Sequence, residues 1–148
     1  MGAPCPAPGR TWGPDRLRPV LAALALCGLA LPAGAQTPLT AAEFEAYVTG
    51  RTVTYQQFGG LFGVEEYLSN RQVRWSVAEN QCQYGSWYPD GDAICFVYEY
   101  DPTPHCWTFW MEGGKLAALS LGAEPGAELY EVERSETPLS CPGPDVGA

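Results

Sequence analysis

YGSWYPDGDAICFVYEYDPTPHCWTFWMEGGKLAALSL, residues 84–121, is the stretch that decides the predicted fold. Short runs rich in β-branched and aromatic residues alternate in it with Pro-Asp-Gly-Asp, Asp-Pro-Thr-Pro-His and Glu-Gly-Gly. Such runs, bounded by turn residues, are typical of strands joined by hairpins. We predict residues 101–105 as a loop, because Pro102 and Pro104 lack the N–H that a strand ladder needs. Strands are predicted at residues 84–88, 93–100, 106–111 and 115–121.

The same pattern continues on both sides of this stretch. Further strands are predicted at residues 52–58, 64–68, 72–78 and 128–133. Because almost every connection is too short for a crossover, neighbouring strands should be antiparallel. Eight short antiparallel strands remove their unpaired edges most simply by closing on themselves. We therefore predict an all-β fold, a small up-and-down barrel, with a two-layer sandwich as the alternative because spacing does not reveal strand order.

One helix is predicted at residues 39–50, ahead of the strands. Thr40 and Glu43 have the spacing of a capping box, and Gly50 suits a left-handed helix end. The apolar stripe of this helix comprises Phe44, Tyr47 and Val48. We expect the stripe to dock on one end of the barrel, as a plug or along its flank.

Residues 1–35 have the organisation of a signal peptide. Arg10, Arg16 and Arg18 precede an apolar run at residues 20–31, and Ala33-Gly34-Ala35 forms a small-x-small cleavage site. The run is shorter than the ~20 residues that span a bilayer. We predict export to the periplasm or secretion, with residues 36–148 as a single domain that has no membrane attachment after cleavage.

The predicted domain is strongly acidic. Residues 36–148 carry 5 basic and 16 acidic side chains, a formal net charge of −11. A surface of that sign repels phosphate backbones and anionic lipids, which argues against nucleic-acid and membrane partners. We expect a monomer whose protein partner, where it has one, is basic.

Four cysteines remain after cleavage: Cys82, Cys95, Cys106 and Cys141. An even number in an exported chain predicts two disulfides. Of the three pairings we favour Cys95 with Cys106, which would join neighbouring strands, and Cys82 with Cys141, which would hold the tail. The spacing lacks the close ligand pairs of a zinc site, so no metal or other cofactor is predicted.

The chain offers few groups for catalysis. His105 is the single histidine, and no activatable nucleophile lies near it in sequence, so we predict that the protein is not an enzyme. Four acids around two predicted turns are oxygen donors of the kind that calcium prefers. Tight hairpins select the same residue types, and the spacing of an EF-hand loop is absent. These acids are Asp90, Asp92, Glu99 and Asp101.

Aromatic residues are dense, with 4 Trp, 8 Tyr and 5 Phe in residues 36–148. Large side chains fill the interior of a small barrel, so a packed core is the simplest expectation for Trp75, Trp87, Phe96 and Tyr98. The same side chains would suit the wall of a ligand cavity. Trp107 and Trp110 should point to opposite faces of one strand, which would leave at least one of them exposed as a partner surface.

Several short motifs resemble those of small exported alphaproteobacterial proteins of unknown function. The motifs are Gly-Ser-Trp at residues 85–87, Gly-Asp-x-Ile-Cys-Phe at 91–96, Cys-Trp at 106–107 and Cys-Pro-Gly-Pro-Asp-Val-Gly at 141–147. The resemblance spans nearly all of residues 36–148 and implies no activity. More distantly, the Gly-x-Trp element and the order of helix and strands look like lipocalin-like barrels and small periplasmic inhibitors of lysozyme or metalloproteases.

Two functions follow as hypotheses. The first is a non-enzymatic inhibitor of a basic enzyme such as a lysozyme or protease, steered by its carboxylates. Its contacts would come from Asp101 and His105, with Trp107 or Trp110. The second is a lipocalin-like carrier that holds a small apolar ligand inside the barrel. Its ligand contacts would come from Trp75, Trp87 and Tyr98.

Overall fold

A computed structural model describes residues 36–78 and 81–141 of the chain. The predicted leader and the last residues of the predicted domain lie outside this part. In order, the elements are α1 (Ala41–Val48), β1 (Arg51–Gln57), β2 (Gly60–Tyr67), a 3₁₀ turn (Ser69–Arg71), β3 (Gln72–Ala78), β4 (Gln81–Asp90), β5 (Ala93–Tyr98), β6 (Asp101–Glu112), β7 (Lys115–Ser120) and β8 (Leu129–Ser135).

The eight strands form a closed antiparallel barrel in sequence order. Each strand pairs with its neighbour in the chain, and β1 closes the circle by pairing with β8 over Thr52–Gln56. The predicted all-β barrel is therefore confirmed, and the sandwich is excluded. Within the described residues, no helix is long and apolar enough to cross a membrane.

The predicted loop at residues 101–105 is wrong, because the structure places these residues inside β6. Opposite β5 the register shifts between the Phe96–His105 and Tyr98–Asp101 pairs, so the prolines lie in a bulge. The pairing of β6 with β7 starts only at Trp107, which leaves residues 101–106 with a single neighbouring strand. Proline is tolerated at such edges and bulges because no second ladder requires its N–H. Likewise β4 extends through Asp90, so the predicted four-residue turn shrinks to Gly91 and Asp92.

Helix α1 closes one end of the barrel. Its predicted capping box is present, with Thr40 and Glu43 bonded to each other's backbone, and Gly50 follows with a φ of +77°. Phe44 is fully buried, and its ring lies 4.6–6.5 Å from the centroids of four other aromatic rings. Those rings belong to Tyr67, Trp87, Phe96 and Phe109. This end is therefore a dense aromatic core.

Both favoured disulfides are present. Cys95 and Cys106 face each other on β5 and β6, and their bond joins two paired strands. Cys82 on β4 bonds Cys141, which fixes the end of the described tail. The tail gains a second anchor where the Leu139 N–H donates to the Glu66 carboxylate at 3.0 Å. Two disulfides are consistent with an oxidising compartment outside the cytoplasm.

Candidate functional site

The end of the barrel opposite α1 holds a cavity of about 220 Å³. The C-terminal ends of β1, β3, β5 and β7 all lie at this open end, whereas α1 and the N-terminal ends of these strands lie at the closed end. Eight of the thirteen lining residues are aromatic. The lining comprises Tyr55, Phe62, Glu65, Tyr67, Trp75, Gln83, Phe96, Tyr98, Asp101, His105, Trp107, Phe109 and Leu129. Such a wall, with a few polar groups, is typical of a small-molecule site.

Phe62 lies between two tryptophans of the pocket. Its ring centroid is 5.5 Å from that of Trp75 and 5.8 Å from that of Trp107. The position follows from a register shift between Tyr55 and Gln56 of β1, opposite which Phe62 is the extra residue of β2. A bulge redirects a side chain in this way. Three strands, β2, β3 and β6, thereby contribute to one aromatic cluster.

Two strand glycines make room for pocket rings. A Cβ atom on Gly63 would overlap the Trp75 indole, and one on Gly85 would lie 2.7 Å from the Tyr98 ring. Both rings therefore lie along the barrel wall, close to the backbone of a neighbouring strand. Glycine inside a strand commonly marks such a close approach. The two glycines keep these large side chains from filling the cavity.

The pocket has polar groups at its inner end. The Tyr55 and Tyr67 hydroxyls are 2.9 Å apart, and the Tyr98 hydroxyl donates to Glu65 Oε2 at 2.8 Å. Glu65 is 2% exposed, and its Oε1 has no hydrogen-bond partner among the described residues. An unpartnered buried oxygen is costly and calls for a specific explanation.

Burial sets the protonation of these groups. Desolvation raises the pKa of Glu65 well above its ordinary value, against a smaller opposite effect from the Tyr98 hydrogen bond. Burial likewise raises the pKa of the Tyr55, Tyr67 and Tyr98 hydroxyls. The charged form of each group is disfavoured because burial removes it from water, and no Lys or Arg lines the pocket to offset that cost. In the empty pocket, burial therefore favours the protonated, uncharged form of Glu65 and of the three tyrosines.

The mouth of the pocket carries a hydrogen-bonded pair of Asp101 and His105. His105 Nε2 lies 2.8 Å from Asp101 Oδ2, and the Thr103 N–H donates to Asp101 Oδ1 at 3.0 Å. These contacts, with the Thr103 backbone bond the largest, hold the pKa of Asp101 below its ordinary value. Asp101 is thus ionised at the entrance, where it acts as a hydrogen-bond acceptor.

Exposed apolar side chains concentrate around the open end. Phe58 is 80% exposed in the β1–β2 turn, and four further large apolar residues are exposed in the strand ends and connections beside it. They are Leu61, Val77, Tyr100 and Leu121. An apolar rim around a cavity mouth is a common feature of interaction sites. The closed end has no comparable rim among the described residues, its most exposed large apolar side chains being Tyr88 and Met111.

The predicted ligand contacts divide between the two ends. Trp75 and Tyr98 line the pocket, as the carrier hypothesis requires. Trp87 does not, because it is 3% exposed at the closed end, with its ring centroid 5.3 Å from that of Phe44. The Arg71 guanidinium lies 4.8 Å from the Trp87 ring centroid. Trp87 therefore belongs to the core under α1.

Three of the four residues predicted to contact a protein partner line the pocket instead. Asp101, His105 and Trp107 point toward the pocket instead of forming a projecting loop and an exposed patch. Trp110 lies on the opposite face of β6 from Trp107, as predicted, but is only 4% exposed, since the chain before α1 runs beside it and Leu39 N–H donates to the Phe109 carbonyl. The prediction that at least one of the two tryptophans is exposed is therefore wrong, because Trp107 is half-buried as well.

Glu65 and Phe62 are pocket residues that sequence analysis missed. Glu65 had a detectable signal, because it is two residues from the inward Tyr67 and successive residues of a strand alternate between faces. An acidic side chain at an inward position of a barrel strand is unusual and indicates a specific structural or functional partner. Phe62 had no such signal, since the bulge that redirects it depends on pairing with β1.

The acids considered for calcium have other partners or lie apart. Glu99 Oε1 accepts from the Tyr84 N–H, and Asp101 is held by Thr103 and His105. Within residues 36–78 and 81–141, no group of three or more His, Cys, Asp or Glu side chains is arranged to hold a metal ion.

The fold and site define an eight-stranded antiparallel β-barrel with an aromatic pocket at one end. Comparisons of this chain with known protein families, curated proteins and solved structures found no match. Functional assignment therefore depends on the geometry of the pocket.

Proposed function

We propose that this protein is a non-enzymatic binding protein that holds a small aromatic molecule in the open end of its barrel. The observation that carries the proposal is the cavity itself, an aromatic-walled space in a fold small enough to be filled by its own side chains. The distant resemblance to lipocalin-like barrels agrees with this function. The predicted export supports a carrier or scavenger outside the cytoplasm.

The size of the cavity limits the ligand. A dry cavity of ~150 Å³ accommodates benzene, so about 220 Å³ suits one or two fused rings with a short substituent. Tetrapyrroles and long-chain lipids are too large to be enclosed. The rings of Phe62, Trp75 and Trp107 offer faces and edges at several angles, which suits a planar ligand.

Binding of neutral ring compounds tests this proposal. We expect indole and naphthalene to bind the protein with a saturable heat in calorimetric titration and to raise its melting temperature. A ligand at 100 times its Kd stabilises the folded state by ~2.7 kcal/mol. Leu129→Trp, which places a large side chain at a buried lining position, should abolish both effects. Leu121→Trp, on the exposed rim, is the matched control and should retain them. An absence of saturable response to any ring compound of this size would refute the carrier function.

Inhibition of a basic enzyme is the second proposal, favoured by the −11 charge of residues 36–148. Carboxylates spread over the barrel would steer a cationic enzyme toward it. The segment at residues 101–105 lies within β6, so the apolar rim replaces it as the contact surface that this function would use. Recovery of a basic enzyme from periplasmic extract at low salt, lost at high salt, would support this function.

A further inference from the structure

We infer that the ligand is a small aromatic amine whose protonated nitrogen pairs with Glu65 at the inner end of the pocket. This inference rests on the proposed carrier function and adds the charge and the polar group of the ligand. Its starting point is Glu65 Oε1, a buried carboxyl oxygen without a hydrogen-bond partner in the described part of the chain. When Glu65 is ionised, an ammonium N–H would supply the hydrogen-bond donor that this oxygen lacks.

The charges lining the pocket favour a cation. Two of its residues carry carboxyl groups, Glu65 and Asp101, and none is Lys or Arg. The histidine of the pocket, His105, contacts Asp101 at the mouth. The described cationic side chains next to the barrel wall are engaged elsewhere, since Arg74 pairs with Glu66 and Arg71 with Glu45. A cation entering the pocket passes the ionised Asp101 at the mouth and reaches a carboxyl that has no counter-charge. An anionic ligand would meet the ionised Asp101 at the mouth and would find no Lys or Arg in the pocket to pair with.

The aromatic wall favours the same ligand. Ammonium groups are attracted to the faces of Trp, Tyr and Phe within about 6 Å of the ring centroid. The Tyr98 hydroxyl donates a hydrogen bond to Glu65, which places the Tyr98 ring beside that carboxyl. Phe62, Trp75 and Trp107 form the outer part of the wall. The amine end would lie beside Glu65 and Tyr98, while the ring of the ligand would pack among the other three.

Pairing with an amine couples binding to proton release. In the empty pocket, burial without a paired cation raises the pKa of Glu65 and favours its protonated carboxyl over the ionised form. On binding, the ammonium donates to Oε1, the Tyr98 hydroxyl continues to donate to Oε2, and the carboxyl proton leaves to solvent. The ligand stays protonated throughout, so one proton is released per amine bound.

Other titratable groups face the same region from neighbouring strands. Tyr55 on β1, Tyr67 on β2 and Tyr98 on β5 stay neutral because burial raises the pKa of each hydroxyl. Asp101 and His105 on β6 form the pair at the mouth. Glu131 on β8, whose charge also acts on Tyr55, accepts from the Tyr47 hydroxyl and the Leu116 N–H. His105→Gln therefore separates any histidine proton from that of Glu65.

The test compares matched pairs of ligands by isothermal titration calorimetry. The pairs are 2-phenylethylamine with 2-phenylethanol and tryptamine with tryptophol, which differ in an ammonium against a hydroxyl. Near pH 7, we expect each amine to bind the wild-type protein at least about tenfold more tightly than its alcohol. A charge-assisted hydrogen bond is roughly twice as strong as one between neutral groups. Titrations in buffers of different ionisation enthalpy should show about one proton released with amines and none with alcohols. His105→Gln should leave this release unchanged.

Glu65→Gln, which preserves the shape of the side chain, should remove the preference for amines and the proton release while retaining alcohol binding. Glu133→Gln, an exposed change on β8, is the matched control and should behave as wild type. Equal binding of amines and alcohols, or a preference that survives Glu65→Gln, would overturn the inference and leave the carrier function standing. Failure of all four ligands and of neutral ring compounds would overturn both. The proton count in the wild-type protein provides a test that does not depend on the folding of the variant.

Discussion

The two ends of this barrel use similar aromatic residues for different purposes. At the closed end, α1 inserts Phe44 among Tyr67, Trp87, Phe96 and Phe109, and the rings fill the interior. At the open end, large rings lie along the wall and leave about 220 Å³ between them. The difference arises from the helix that plugs one end and from the glycines that let rings lie flat at the other. Aromatic content alone therefore does not separate a core from a pocket.

Phe44→Ala and Phe62→Ala test this contrast most strongly. We expect Phe44→Ala to lower the free energy of unfolding by about 3–5 kcal/mol, because it leaves a cavity among buried rings. Phe62→Ala should cost about 1 kcal/mol, since the half-buried ring borders a space that already exists. Urea unfolding followed by far-UV circular dichroism measures both changes. Equal losses would mean that the two ends are packed alike.

Removal of the Cys82–Cys141 disulfide tests how the open end is held. Both cysteines lie away from α1, and the bond spans 59 residues of sequence against 11 for Cys95–Cys106. Restriction of the unfolded chain predicts a loss of about 4 kcal/mol for the Cys82→Ala/Cys141→Ala double variant and about 3 kcal/mol for the equivalent Cys95/Cys106 variant. Urea midpoints of the two double variants compare them, and the reverse order would contradict this account of the tail.

Gly63→Ala tests the room beside Trp75. The added methyl group would overlap the Trp75 indole, so the ring must move into the cavity or the strands must shift. We expect a loss of about 1–3 kcal/mol, as for other overpacked sites, together with weaker ligand binding. Gly60→Ala is the matched control, because its new methyl group would make only an ordinary contact 3.8 Å from the Gln57 carbonyl oxygen and its backbone φ is outside the left-handed region. Thermal unfolding and ligand titration of both variants provide the measurement.

Glu65 should give the empty protein a distinctive pH dependence. Its pKa is raised by folding, so above the pKa of the unfolded chain the folded state holds the extra proton. Stability contributed by this group is therefore complete at low pH and falls as pH rises toward the folded pKa, by at most about 1.4 kcal/mol per pH unit. Glu65→Gln should remove this decline. Urea unfolding between pH 4 and 8 compares the two proteins, and parallel curves would show that Glu65 is not buried as described.

The barrel follows from local sequence signals, and most of the pocket does not. Turn residues and short connections predict eight antiparallel strands, and the capping residues Thr40 and Glu43 predict the helix. Trp87 and Trp75 both occupy inward positions, yet only the docking of α1 decides which end is filled. Likewise residues 101–106 can be a strand only because β7 does not extend along them. Pro102 and Pro104 therefore have no second strand that would need their missing N–H groups. Such contacts between distant segments are not encoded in the local pattern.

The tryptophans of the described barrel provide the most direct test of the pocket. Trp75 and Trp107 line the cavity, whereas Trp87 lies under α1 and Trp110 under the segment before it. We predict that titration with tryptamine shifts the indole N–H signals of Trp75 and Trp107 in ¹H–¹⁵N spectra of the protein and leaves those of Trp87 and Trp110 in place. Indole signals that do not respond to tryptamine or to neutral ring compounds, or that shift only for Trp87 and Trp110, would contradict ligand binding at the open end.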